Sequence, residues 1–205
     1  MHLRTAAALM LAAAPALAGV PDKGDGTITL LGGLRAIPGG EYQSEKGSKH
    51  GLFHPGFLLG FGFQPDDELH AGIQLGYGFD QYGEGTDALK IRSFLILLEI
   101  DTALVQRSSF TFYAGGGLGY SLNSISRSAG DLQANSAAGF IAVGFRFRLG
   151  DHVGAVIEDR YTVSSAAADP TASNTVNMGG NLLTAGLMFH FFSPEDKGHP
   201  TPPGG

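Results

Sequence analysis

Cysteine is absent from the 205 residues, which excludes a disulfide frame, a thiolate metal site and lipidation at a lipoprotein-type cysteine. Tryptophan is absent as well, and charged residues make up only 16% of the chain. Basic residues are in the minority, 13 against 19 acidic, for a formal charge of −6; this argues against the basic surface that nucleic acid requires. Nowhere do roughly 18 apolar residues follow one another, the run a membrane-spanning helix needs. That shortage leaves barrels open, because their strands hide apolar character in alternate positions.

What is abundant is glycine, 32 residues of it, set within segments that alternate apolar and small or polar side chains. The chain opens with "MHLRTAAALMLAAAPALA", in which Arg4 precedes an apolar run, Pro15 breaks it, and Ala16-Leu17-Ala18 supplies the small residues of a cleavage site. Residues 1–18 therefore read as a secretory signal peptide, too short in its apolar part to span a bilayer. The barrel domain is expected over 19–192, and the Pro/Gly-rich "SPEDKGHPTPPGG" over 193–205 as a disordered periplasmic tail.

Eight alternating segments run at about 27–37, 53–64, 68–79, 89–104, 109–122, 137–149, 152–163 and 181–192. The connections between them alternate in length. "QPDD" (64–67), "VQRSS" (105–109) and "LGDH" (149–152) are tight; "PGGEYQSEKGSKHG" (38–51), "DQYGEGTDA" (80–88), "NSISRSAGDLQANS" (123–136) and the stretch 164–180 are longer and polar. This predicts an all-β, eight-stranded antiparallel up-and-down transmembrane β-barrel, with tight turns toward the periplasm and longer loops outward. The alternation also divides the faces. In "NLLTAGLMFHFF" (181–192) Leu183, Ala185, Leu187, Phe189 and Phe191 share one face, opposite Thr184, Gly186 and His190. A soluble barrel or sandwich would bury the Phe/Leu face and give its strand glycines to water, where they cost stability. A membrane barrel turns Phe and Leu to lipid and lines its interior with Gly, Gln and Arg.

Aromatics on the lipid face gather at two heights. Tyr77, Tyr120 and Tyr161 stand near the outer strand ends; Phe63, Phe110, Phe147 and Phe191 stand near the periplasmic ends. Two such rows suit the two membrane interfaces. The predicted interior carries charge: Arg35 on the first segment, Glu99 and Asp101 on the fourth, Arg146 and Arg148 on the sixth, Glu158 and Arg160 on the seventh. Buried charge persists only when paired, so these seven are expected to form one mixed network across the lumen. Such a network either plugs the barrel, whose eight strands leave a space side chains can fill, or acts as a gate; the inward glycines favour room for water. Asp159 departs from the pattern, since its parity turns it to lipid. It belongs either near the outer girdle beside Tyr161 or at a bulge in the strand.

The signal, the eight segments and the closing "LLTAGLMFHFF" resemble the small eight-stranded outer-membrane barrels of the OmpA/OmpX type, the outer membrane protein beta-barrel domain group. The resemblance implies the outer membrane of a Gram-negative cell, with the lipid bilayer as its solvent; the reading expects a monomer. It also implies a closing strand, Leu183 to Phe191, read by the barrel-assembly machinery. The tail after Phe192 departs from that pattern and is too short for a cell-wall-binding domain. Lipid A deacylase barrels carry a His followed two residues later by Ser, which no histidine here has; His50, Asp87 and Ser48 resemble the rim residues of palmitoyl-transferring barrels only as any polar loop would. No enzyme, cofactor, metal or nucleic acid is therefore expected, and the extracellular partner of the loops is left unnamed. The function expected is envelope integrity or surface contact through the loops. The alternatives are a narrow passive channel for small solutes and a soluble periplasmic barrel that binds a small apolar ligand.

Overall fold

The computed structural model describes residues 24–36, 41–44, 47–50, 54–82, 88–127, 130–150, 152–167, 175–177 and 179–191. The expected signal peptide and tail, and the side chains of Ser48, His50 and Asp87, lie outside the described residues. Eleven strands follow one another: β1 (Gly26–Ala36), β2 (Glu41–Ser44), β3 (Gly47–His50), β4 (His54–Phe63), β5 (Leu69–Tyr82), β6 (Leu89–Gln106), β7 (Phe110–Arg127), β8 (Gly130–Arg148), β9 (Val153–Ala167), β10 (Thr175–Asn177) and β11 (Gly180–Phe191). Eight of them, all but β2, β3 and β10, pair antiparallel with their neighbours, and β11 closes on β1. The fold is the eight-stranded up-and-down barrel that the alternation of the sequence predicts.

The strands run further than expected on one side. The polar stretch 123–136 is mostly strand: β7 continues to Arg127, β8 starts at Gly130, and Gly130 takes a positive φ of 117° that favours glycine at such a tight reversal. Alternation explains this, because Ile91 and Ile125 are directly paired on the inner face and are wholly buried. Likewise Asp80, expected in a loop, is an inward residue of β5. The expected loop 38–51 contains the hairpin of β2 and β3.

Register fixes the shape. The paired path from Gly26 passes through Phe63, Ala71, Ile100, Gly116, Ile141, Tyr161 and Asn181, and returns to β1 at Ala36, ten residues on (36 − 26 = 10). For eight strands this offset means a tilt of about 40° and a backbone radius of about 8 Å. Each residue along a strand then climbs about 2.5 Å, and each step to the next strand about 3 Å.

Heights follow from these steps. Phe63, Phe110, Phe147 and Phe191 fall within about 3 Å of the level of Gly26, while Tyr161, Tyr77 and Tyr120 fall about 19–22 Å above it. Among the described residues, the intervening outer surface is apolar or small except for Thr102, just above the lower aromatic row, and carries charge at one position alone. Leu98, Leu118, Ile141 and Leu183 each expose more than half of their surface there, as lipid-facing side chains do.

The charged position is Asp159. Neither sequence expectation places it correctly: the ladder runs unbroken through Val143, Asp159 and Leu183, and the register sets Asp159 about 14 Å above Gly26, near the middle of the apolar band. The ladder does shift at Leu104, between Ala103 and Val105 near the tight-turn end of β6, far from Asp159. A carboxylate at mid-depth is a cost without a partner among the described residues. Replacing Asp159 with Leu is expected to stabilise the barrel by about 1–2 kcal/mol, measured by reversible urea unfolding in lipid vesicles; no gain would mean that Asp159 reaches an interface.

Candidate functional site

The inner face of the sheet is where chemistry could reside. Glu99 and Asp101 share one side of β6, Arg146 stands on β8, and Glu158 and Arg160 stand on β9; strand alternation turns all five into the lumen. Asp101 is held by both ends of the Arg146 guanidinium, with Nη1 donating to Oδ1 at 2.9 Å and Nη2 to Oδ2 at 2.5 Å. The Nδ1–H of His70 donates to the same Oδ2 at 2.9 Å, and Thr27 Oγ1 lies 3.0 Å from His70 Nε2.

One level higher, Glu158 is the hub. It accepts from Tyr113 Oη at 2.8 Å through Oε2 and from Arg160 Nε at 2.9 Å through Oε1. Arg160 crosses the lumen: Nη1 donates to the side-chain carbonyl of Gln74 on β5, and Nη2 sits 3.5 Å from Glu99 on β6. Tyr113 joins the two levels, because the Arg146 guanidinium lies over its ring, 4.0 Å from the centroid. Phe140 provides a second such face, 3.8 Å beneath Arg160. A guanidinium on an aromatic face keeps attraction without needing water.

Two residues expected in this network stand apart. Arg35 pairs with Asp80 near the loop end, where His54 Nδ1 is 3.3 Å from the same carboxylate. Arg148 is at the tight-turn rim, with Nε donating to the Gly150 carbonyl at 3.1 Å. So five of the seven expected charges are brought together. Selection by formal charge passes over His70, Gln74 and Tyr113, although each has inward parity; a neutral donor or acceptor is what joins the charges. Asp80 escapes the same selection because its strand continues into what looks like a loop.

Glycines make the crossing possible. A Cβ at Gly62 would stand 2.1 Å from His70 Nε2, and one at Gly144 would stand 2.6 Å from Tyr113 Oη. A Cβ at Gly117 would meet Phe140 at 2.4 Å. The inward glycines of these walls are sockets for large side chains from neighbouring strands, rather than the water space that the sequence suggests. Among the described residues, two voids of about 20 Å³ and 30 Å³ border this network, each about the size of one or two water molecules. His70 and Arg146 border the lower void and Leu58, Leu97 and Leu182 the upper; Arg160 and Glu158 lie between them.

A cation would find His70, Glu99 and Asp101 close together, with one donor atom from each within 4.8 Å of the others. Those of His70 and Asp101 are already committed. His70 Nδ1 carries its proton toward Asp101, and both Asp101 oxygens serve Arg146. A metal there would have to displace a bidentate ion pair.

The outward residues are positioned as an interface requires. Phe63, Tyr77, Tyr120, Phe147 and Tyr161 are exposed on the lipid face, and Phe110 packs against Phe145 and Phe147 with centroids 6.3 and 6.5 Å away. On β11, Leu183, Ala185, Leu187, Phe189 and Phe191 turn outward in one row.

Arg146 tests the lumen energetics. Its replacement by Met leaves Asp101 buried with only His70, and a loss of about 3–5 kcal/mol is expected in urea unfolding. Changing both partners, Arg146→Met with Asp101→Leu, should recover most of that loss, because the apolar pair has no orphaned charge. Equal losses in the single and double variants would mean that the pair does not matter.

Comparison with known proteins agrees with this architecture. The structure is similar to the N-terminal β-barrel domain of Pseudomonas aeruginosa OprF, at 13% identity with a TM-score of 0.52, covering 82% of this chain and 98% of that one. It is similar to Neisserial surface protein A at 18% identity and a TM-score of 0.55, covering 82% and 98%. The outer membrane protein OprG of Pseudomonas aeruginosa is 12% identical with a TM-score of 0.55, covering 85% and 99%. Identities this low speak for the fold alone. No curated protein matches the chain. The model of the outer membrane protein beta-barrel domain matches residues 5–191, so the chain belongs to that family and is a protein of the outer membrane.

Proposed function

We propose that this barrel is a sealed element of the outer membrane, serving envelope integrity or surface contact through its outward loops, and that it works as a single barrel. The observation that supports this reading is the position of Arg160. It reaches from β9 to Gln74 on β5 and Glu99 on β6 and is fully buried, with Glu158, Tyr113 and Phe140 around it. A solute path would have to pass that side chain, and moving it means breaking charge-assisted hydrogen bonds in a region of low dielectric.

The closing strand carries a second role in this reading. The outward row Leu183 to Phe191 is the surface offered to the barrel-assembly machinery before β11 zips onto β1. The reading assigns no catalytic residue and no cofactor. A narrow passive channel is the competing reading, and the two voids above and below Arg160 favour it.

Single-channel recording of the refolded mature protein in planar bilayers separates the two. The native barrel is expected to be silent once its insertion is verified by protection from protease. The double replacement Glu158→Ala with Arg160→Ala should produce discrete conductance steps, because it joins the voids. Steps from the native barrel at modest voltage would make the channel reading the correct one.

A further inference from the structure

The outward face of the barrel has a charge pattern that the lumen does not explain. Lys90 and Arg92 are the only cations exposed on the lipid-side parity of the barrel strands among the described residues whose side chains are described. Both are exposed and adjacent in the same outward row of β6, and neither has an ion-pair partner among the described residues.

Their neighbours change sharply with height. The uppermost apolar row across β5, β6 and β7 is Tyr77, Phe94 and Leu122. The next row up is Phe79, Arg92 and Ser124; the next is Gln81, Lys90 and Ser126. Arg92 therefore stands about 5 Å above the Phe94 row, and Lys90 about 5 Å higher again. That is the height at which lipid headgroups begin. Each cation has a serine directly across the ladder, so a positive charge and a hydroxyl are presented side by side, twice, roughly 7 Å apart along the strand. A phosphate can accept from a cation and a hydroxyl at once through different oxygens. A carboxylate, Asp131, continues the upper row beyond Ser126 and opposes anion binding from two strands away.

We propose that the outer end of β6, with Lys90 and Arg92 as its charges and Ser124 and Ser126 as its hydroxyl donors, is a docking site for the phosphate of an anionic lipid in the outer leaflet. The lipid is specified by geometry: its chains lie along the exposed apolar column of Phe94, Ile96 and Leu98, while its headgroup meets Arg92 and Lys90 above. Arg92, one row above Phe94, is placed to lay its methylene stem along the apolar row and keep its charge at the headgroup level, and Lys90 adds a second charge one row higher. A soluble phosphate has the same anion and none of the chain contact.

The test uses the full mature chain refolded into mixed vesicles of phosphatidylcholine and phosphatidic acid, whose exposed phosphate monoester is the probe. The barrel is extracted in mild detergent, and native mass spectrometry reads the bound lipid. The native barrel is expected to retain phosphatidic acid in preference to phosphatidylcholine. Lys90→Gln with Arg92→Gln should weaken retention about twenty-fivefold, at about fivefold per lost charge, and Asp131→Asn should strengthen it. Both variants keep the inner face intact, and heat-shifted gel mobility verifies that each is folded. Unchanged phosphatidic acid retention by the folded double variant would overturn the proposal. So would loading of the barrel by inorganic phosphate alone, because the site would then not be reading a lipid.

Discussion

The clasp of Arg146 on Asp101 is the interaction on which the interior depends. A carboxylate inside a closed sheet is cut off from bulk water, and an unpaired charge there would cost a large share of a small barrel's stability. The bidentate pair solves this for Asp101, and each further charge is satisfied by the next: His70 on Asp101, Tyr113 beneath Arg146, Glu158 on Tyr113, Arg160 on Glu158. Three carboxylates and two guanidinium groups are thereby joined into one body by neutral donors and acceptors. The resulting network fills the width of the barrel.

Closure sets the space that this network must fill. Eight strands with an offset of ten residues give a lumen narrow enough for opposite walls to touch through their side chains. Had every inward position carried a Cβ, Tyr113, His70 and Phe140 would not fit. Glycine at 62, 117 and 144 makes the room where a neighbouring side chain needs it, so that one strand's missing side chain is occupied by another strand's large one. The outside obeys the opposite rule. Leu, Ile and Phe face lipid, and the tyrosine and phenylalanine rows fix the depth of the barrel. Lipid replaces the packed core that such side chains would need in a soluble protein.

Period two made most of this fold legible in the sequence. The face of Phe57 or Leu118, the closing position of 181–192 and the two aromatic rows all follow from parity alone. What parity does not carry is height and reach. Asp159 has its face assigned correctly and its depth misjudged, because depth comes from the offset between strands, and that is a property of closure. Arg35 has the right face and sits too far toward the loop end to meet Glu99; it finds Asp80, hidden in what looks like a loop because Gly83 and Gly85 follow it closely. His70, Gln74 and Tyr113 are not counted among the charges, so selecting by charge passes over the residues that bridge the two levels.

The absence of cysteine permits a direct test of whether the lumen is filled. Val156 lies on the inner face of β9 at 2% exposure, between Glu158 and the lower rim, and cysteine there is close in size. With Val156→Cys supplying the sole thiol, the barrel folded in vesicles is treated with a charged, membrane-impermeant thiol reagent from both sides. If the paired charges occlude the lumen, the thiol at position 156 stays unlabelled until the protein is unfolded. A separate variant, Ser108→Cys at an exposed turn, should label at once. Labelling of both positions at comparable rates would show a water-filled path through the barrel, and the account of a plug built on Asp101 and Arg146 would be wrong.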